Sequence, residues 1–180
     1  GVYQSDATVN GATILQRAFI SKNMIPDSEM EQGNTATVTS RSGGVVQKSA
    51  LEAYRDAMSL HVTSVNPGEG VTFDAIGAQG AQNYLFSFFA KVASADKTIG
   101  WNIKDDTNAT LSSGNFTDLP NPAGWNLVET AIKTTAPATS LNFYEEQSGA
   151  GVRDWYIDGL HFALNLIKNG GMENPDPGTN

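Results

Sequence analysis

A two-residue alternation of apolar and polar side chains constrains the fold of this chain more than any other feature. In the segment 84–92, apolar residues occupy every second position, and the opposite face carries Ser87, Phe89 and Lys91. Successive side chains of a β-strand point to opposite faces of its sheet, so this period indicates a strand with one buried face. Phe89 stands out as an aromatic side chain between two polar ones.

Alternating segments of the same kind recur along the chain, at 58–63, 98–104, 125–133 and 140–146. Sequences rich in Pro, Gly, Asn and Asp, which favour turns, separate them. Short strands separated in this way predict an all-β fold, an antiparallel β-sandwich of the jelly-roll type. The best helical signal, at residues 49–57, is sufficient for one or two turns.

The two ends of the chain share a nine-residue motif. Residues 23–31 and 165–173 both read Asn, apolar, Ile, any residue, Asp or Asn, two variable residues, Met and Glu. The stretch from residue 23 to residue 165, which separates the starts of the two copies, is as long as a whole domain. It is far longer than the roughly 20 to 50 residues of a solenoid repeat.

The repeat suggests three segments. Residues 1–22 are the tail of a preceding unit or a linker, 23–164 are the β-sandwich, and 165–180 begin a following repeat or form a C-terminal extension. Two alternatives stay open: the match arose by chance, or the terminal strands complete the sheets of identical neighbouring subunits by strand addition.

The charge and composition exclude several classes of partner. Eleven Lys and Arg residues face 19 Asp and Glu, a net charge of −8, which disfavours nucleic acids and anionic membrane surfaces. The apolar runs are shorter than the ~20 residues of a membrane-spanning helix, so we expect no membrane insertion. The chain has no cysteine, and Ser, Thr and Asn outnumber its charged residues. This composition is typical of an extracellular or virion surface.

The sequence gives no sign of an enzyme. Two pairs of adjacent acids occur, Asp105-Asp106 and Glu145-Glu146. Neighbours on a strand point to opposite faces, whereas a glycosidase needs two carboxylates on both sides of one cleft. The two histidines are widely separated and belong to no triad motif, and no phosphate-binding loop or hydrolase motif is present. We therefore predict a non-catalytic protein.

Several motifs in order resemble the carbohydrate-binding modules of families four and nine. These modules open with Asn-apolar-Ile-x-Asn-Gly-x-Phe-Glu, and residues 23–31 read Asn-Met-Ile-Pro-Asp-Ser-Glu-Met-Glu. The segments 57–63 and 84–91, Trp125, and the Trp-Tyr-Ile-Asp-Gly-Leu sequence at 155–160 follow in the order of the family motifs. The departures lie at the start, where Ser-Glu replaces the small turn and Met replaces the aromatic residue.

The resemblance implies a two-sheet jelly roll with a structural calcium ion where the first and last strands meet. By motif, the side-chain ligands would be Glu31 and Asp158, which are hard oxygen donors of the kind that Ca²⁺ prefers. In these modules an aromatic platform on the concave sheet holds the sugar. The matching candidates are Phe89, flanked by Ser87 and Lys91, and Tyr144, flanked by Asn142 and Glu146.

These observations favour a glycan-binding or adhesion module of a multidomain extracellular protein, with a polysaccharide or cell-surface glycan as partner. The alternative is a virion subunit, such as a phage tail fibre, tail tip or capsid decoration, that uses the sandwich for assembly with identical subunits or adjacent repeats. Residues 6–17 resemble the strand-rich linkers of phage tail-tip proteins. A solvent-open groove lined by Phe89 and Tyr144 would favour glycan binding, and burial of that face against copies would favour assembly.

Overall fold

The computed structural model describes the backbone of two N-terminal strands and, with side chains, residues 23–31, 38–121 and 123–165. Apart from the 3-10 turn Phe116–Asp118, the secondary structure of these described parts is all β. The strands are β1 Tyr3–Val9, β2 Ala12–Ala18, β3 Thr39–Arg41, β4 Val45–Ser49, β5 Ser59–Ser64, β6 Gly70–Gly77, β7 Asn83–Val92, β8 Ile99–Asp105, β9 Thr110–Asn115, β10 Asn126–Lys133, β11 Ser140–Gln147 and β12 Arg153–Leu164. Among the described residues, no helix could cross a bilayer.

Strands β3 to β12 form two five-stranded antiparallel sheets. One has the order β10-β7-β12-β5-β4 and the other β3-β6-β11-β8-β9, and we name them the β12 sheet and the β11 sheet after their central strands. Strands β1 and β2 pair with each other as a separate hairpin. The predicted all-β sandwich is therefore confirmed.

The inward faces of the two sheets meet in an aromatic core. Phe86 and Phe88 of β7 are buried, as their alternation predicts, and their rings lie 4.8 Å and 5.0 Å from that of Phe143 on β11. Trp101 and Trp155 point into the same core. Each such side chain contributes about 2 to 3 kcal/mol through the apolar surface that it removes from water.

The motif at 23–31 closes the edge of β12. Strand β5 pairs with β12 only as far as Ile157, and beyond that point the Asn23 side chain takes its place. Its Nδ2 donates to the Leu160 carbonyl oxygen at 2.7 Å, and its Oδ1 accepts from the Phe162 N–H at 3.0 Å. The amide side chain thus acts like a peptide group of an added strand. The second copy of the motif continues beyond residue 165, outside the described residues.

The predicted helical turns at 49–57 are wrong, because these residues end strand β4 and form an irregular loop. The loop crosses the outer face of the β12 sheet, where carboxylates take the backbone N–H groups that a helix would use internally. Asp158 accepts from the N–H groups of Tyr54 and Arg55 at 2.8 Å and 2.9 Å. Glu31 accepts from those of Ala57 and Met58 at 3.0 Å and 2.8 Å.

Candidate functional site

The structure divides the six predicted glycan-contacting residues between the two sheets. Ser87, Phe89 and Lys91 lie on β7 in the β12 sheet, whereas Asn142, Tyr144 and Glu146 lie on β11 in the β11 sheet. All six point outward, and the outer faces of a sandwich point away from each other. The expectation of one groove lined by both Phe89 and Tyr144 is therefore wrong, because strand order separates them.

Two of the three residues on β7, Phe89 and Lys91, contact the loop 50–57. The Tyr54 ring stacks on Phe89, with the ring centroids 3.5 Å apart and the planes at 17°. The Lys91 ammonium forms an ion pair with Glu52 of the same loop at 2.7 Å. Phe89 is thus a support for Tyr54 rather than an open surface.

Tyr144 is the central aromatic residue on the outer face of the β11 sheet. It lies between Thr72 of β6 and Asn102 of β8 in the strand pairing. The guanidinium carbon of Arg41 lies 3.9 Å from the ring centroid, and Arg41 Nε donates to Glu146 Oε2 at 2.6 Å. A cation–π contact and an ion pair therefore fix Arg41 and cover one face of the ring.

A depression opens on one side of Tyr144, around Glu146. The residues paired with Glu146 on both neighbouring strands are glycines, Gly70 and Gly100, so its flanks carry no side chains. The resulting cavity has a volume of about 480 Å³. Its polar lining consists of amides, hydroxyls and carboxylates, supplied by Asn102, Ser113, Asn115, Asp118, Glu146 and Ser148.

A second depression, of about 210 Å³, lies on the other side of Tyr144 around Asn142. Lys104 of β8 and Asp74 of β6 contribute to its lining. The Asn142 side-chain oxygen accepts from the Ala75 N–H at 3.1 Å, and Lys104 Nζ donates to Asn108 Oδ1 at 3.3 Å. We call the two depressions, with Tyr144 between them, the β11 groove.

Sequence reasoning missed several groove residues. Asn102 and Lys104 were recognisable as outward, since they alternate with the buried residues of β8. What local patterns cannot supply is that β8 lies beside β11. Arg41 lies in a three-residue edge strand and meets Glu146 across 105 positions of chain, so no local signal marks it.

The adjacent acids point in opposite directions, as predicted. Glu146 faces the groove, whereas Glu145 is fully buried in the core and accepts a hydrogen bond from Trp155 Nε1 at 2.6 Å. Burial raises the pKa of Glu145 to about 8, and the Trp155 hydrogen bond acts against this shift. Asp105 is likewise buried, beside an outward Asp106 whose carboxylate accepts bonds from Thr139.

The two predicted calcium ligands lie on the same side of the molecule, each bound to the loop 50–57 or the Met58 N–H that follows it. Burial raises the pKa of Asp158, whereas the N–H groups of Arg55, Tyr54 and Gly159 lower it. Within the part of the chain that the structure describes, no three His, Asp or Glu side chains converge as a metal-binding set.

Negative charge nevertheless accumulates around Glu29, close to both residues. Burial raises the pKa of Glu29, Arg55 lowers it, and the carboxylates of Asp158, Asp56 and Glu31 raise it further. The Glu29 Oε2 atom is buried and has no hydrogen-bond partner among the described residues. These carboxylates therefore concentrate negative charge beside the loop 50–57.

Comparison with known proteins gives a structural answer only. No protein-family model matches the chain, and no curated protein matches it significantly. The match to the CBM22-1 xylan-binding domain of Paenibacillus barcinonensis Xyn10C covers 82% of this chain and 97% of that domain. The sequence identity is 17% and the TM-score is 0.62. The C-terminal family 22 carbohydrate-binding module of Clostridium thermocellum Xyn10B matches 74% and 89%, with 18% identity and a TM-score of 0.56.

A viral protein shares the fold as well. The match to the enzymatically active domain of bacteriophage CBA120 tailspike protein 4 covers 79% of this chain and 21% of the tailspike chain. The sequence identity is 16% and the TM-score is 0.59. The two-sheet sandwich of the present chain has the jelly-roll fold of carbohydrate-binding modules. At these identities the matches establish the fold, and the predicted assignment to families four and nine stays a prediction.

Proposed function

We propose that this chain is a non-catalytic glycan-binding module of an extracellular or virion protein, and that the ligand lies in the β11 groove. The observation that carries the proposal is the arrangement of amides, hydroxyls and carboxylates on both sides of one outward aromatic side chain. Sugar-binding sites need this combination, because hydroxyl groups require hydrogen-bond partners and the C–H faces of the ring require an apolar contact.

The electrostatics favour a neutral polysaccharide. The groove contains Asp74, Asp118 and Glu146 against Arg41 and Lys104, and the whole chain has a net charge of −8. An acidic polysaccharide would be repelled, whereas neutral hydroxyl groups can use both the donors and the acceptors. The xylan-binding domains among the structural neighbours make xylan the first ligand to test.

Removing the central groove side chains should weaken binding. We expect Tyr144→Ala to bind soluble xylan or another neutral glycan at least about tenfold more weakly. The variant loses the aromatic ring and the cation–π contact that positions Arg41. Glu146→Gln removes the ion pair with Arg41 and should weaken binding less. Affinity electrophoresis in gels containing single polysaccharides would measure both changes.

Glu129→Gln is the matched control, because Glu129 lies on the exposed face of β10 in the other sheet. It removes the same charge as Glu146→Gln, and the polysaccharide should retard it as strongly as the wild type. Equal retardation of the wild type and Tyr144→Ala by a bound polysaccharide would exclude the β11 groove as the binding site.

We also propose that Ca²⁺ binds beside the loop 50–57, with Glu31 and Asp158 as side-chain ligands and backbone carbonyls completing the set. The nearby Glu29 carboxylate would add negative charge to the site. Binding to the folded state alone stabilises it by about 3 kcal/mol when the ion is present at a hundred times its Kd. Calcium chloride should therefore raise the melting temperature over that in EDTA, at matched ionic strength.

Magnesium, which demands a stricter octahedral geometry, should have less effect, and Glu29→Gln should respond less to calcium. An identical melting temperature in calcium and in EDTA would remove the ion from the proposal.

A second function, assembly or host attachment within a virion, is favoured by one observation, the match to a phage tailspike domain. The Tyr144→Ala experiment separates the two. If the β12 and β11 sheets serve only assembly, no polysaccharide will retard the wild type. If the module attaches a virion to a host glycan, retardation will depend on Tyr144 as above.

A further inference from the structure

A second aromatic feature lies on the outer face of the β12 sheet, away from the β11 groove. Tyr54 lies flat on Phe89, and the loop that carries it is fixed by the carboxylates of Asp158 and Glu31. These bind three of its N–H groups, and that of Met58 beside it, within 3.0 Å. Despite these contacts, 42% of Tyr54 is exposed. The ring is thus held in place before any ligand arrives, which reduces the entropy that binding must overcome.

Trp125 forms the other wall of this feature. Its ring lies 5.9 Å from that of Tyr54, with the planes at 59°, so the two rings make an open corner. Leu127 follows on β10 directly beside Phe89, and 53% of it is exposed. We call Tyr54, Trp125 and Leu127 the aromatic corner.

Charged side chains border the aromatic corner. The Arg55 guanidinium lies 5.8 Å from the rings of both Tyr54 and Phe89, and its side chain is 57% exposed. On β7 beside Phe89, Lys91 is paired with Glu52 at 2.7 Å. A small apolar platform bordered by hydrogen-bonding groups suits a sugar ring, whereas a protein interface of ordinary stability needs about 800 Å² on each partner.

We propose that the aromatic corner is a second carbohydrate-binding site, which stacks one or two sugar residues of a neutral glycan against Tyr54 and Trp125. The inference rests on the proposed glycan-binding function but uses a different sheet, so the module would contact glycans on two opposite faces. Two weak contacts to one polysaccharide or to neighbouring chains raise the effective affinity without any new interaction.

The three tryptophans give this site its own signal. Trp155 is fully buried, and Trp101 is buried but borders the larger depression of the β11 groove, whereas Trp125 is only partly buried. The fluorescence titrations are therefore made with Trp101→Phe present in every variant, so that the signal comes from the aromatic corner. We expect xylohexaose or cellohexaose to change the Trp125 fluorescence, and calorimetry to find two sites in the wild type. Tyr54→Ala should lose the fluorescence response and weaken that site at least about tenfold, while the Tyr144-dependent heat persists.

Tyr54→Phe is the matched control, since it keeps the ring and should retain the response. Tyr144→Ala should leave the fluorescence response unchanged, so failure of the β11 groove and failure of the aromatic corner are distinguishable. The inference is overturned if no oligosaccharide changes Trp125 fluorescence or if Tyr54→Ala titrates like the wild type. Concentration-dependent self-association that Tyr54→Ala abolishes would also overturn it, because the corner would then bind a second copy of the chain.

Discussion

Replacing Glu145 with Gln should abolish a fall in stability that the wild-type protein shows between about pH 4.5 and pH 8. The folded protein keeps the Glu145 proton until about pH 8, whereas the unfolded chain loses it near pH 4.5. Over this window the unfolded state binds fewer protons, so the free energy of unfolding falls as the pH rises. At about 1.4 kcal/mol per pH unit, the full difference in the free energy of unfolding amounts to no more than about 5 kcal/mol.

The variant also has a cost that is independent of pH. Glu145 Oε1 has no hydrogen-bond partner among the described residues. A buried amide donor without a partner at that position would lower the free energy of unfolding by about 1 to 3 kcal/mol. We therefore expect Glu145→Gln to be less stable than the wild type at pH 5 and more stable at pH 8. Urea unfolding at several pH values would show the two curves crossing.

Glu146→Gln provides the control, because it removes the same charge one residue away on the outward face. The free energy of unfolding of Glu146→Gln should fall with rising pH as steeply as that of the wild type. Parallel pH profiles for the wild type and Glu145→Gln would contradict the assignment of the slope to Glu145.

Asp105→Ala should cause the second large loss of stability. Asp105 ends β8, and its Oδ1 accepts bonds from the Thr107 hydroxyl at 2.6 Å and from the N–H groups of Thr107 and Ala109. Its Oδ2 accepts from the Thr135 hydroxyl at 2.7 Å. Burial alone would raise the pKa of Asp105, but these hydrogen bonds outweigh it and lower the pKa to about 2.

Alanine would leave these buried donors without partners, at a cost of about 3 to 5 kcal/mol. Because the folded pKa is depressed, the contribution of Asp105 is present above about pH 4 and is lost as the pH falls towards 2. Guanidinium unfolding at neutral pH would measure the change.

Asp106→Ala is the matched control for Asp105→Ala. Asp106 lies one residue further on, at the surface, and its carboxylate accepts bonds from the N–H and hydroxyl groups of Thr139. Its removal should have a much smaller effect. Equal losses for the two variants would show that burial of the Asp105 carboxylate is not what stabilises this turn.

Local patterns were sufficient to predict five strands of the sandwich, β5, β7, β8, β10 and β11, but not β3, β4, β6 or β9. The alternation of β7 placed Phe86 and Phe88 in the core and Phe89 outside, because side-chain direction depends only on position within the strand. The position of Phe89 relative to Tyr144 depends instead on strand order, which long-range pairing determines. The sequence therefore predicted that Phe89 and Tyr144 both face outward, but combined residues from two opposite faces.

The same limit applies to the loop 50–57. The motif drew attention to Glu31 and Asp158 as residues that join the two ends of the domain, and both do bind the loop. Their partners in the structure are backbone N–H groups, which every residue carries and no pattern of side chains reveals. The aromatic corner was missed for a related reason, since Tyr54 lay in a segment interpreted as helical.

The contacts of Asn23 have a consequence for how this domain is connected. Asn23 is bound to Leu160 and Phe162, and the Asn165 N–H donates to Asn83 at the adjacent end of β7, so residues 23 and 165 lie near each other. A domain whose chain arrives and departs at neighbouring points can be inserted into a longer polypeptide with little change in the path of its host. The sandwich would then project from the side of the longer chain, with the outer faces of both the β12 sheet and the β11 sheet accessible.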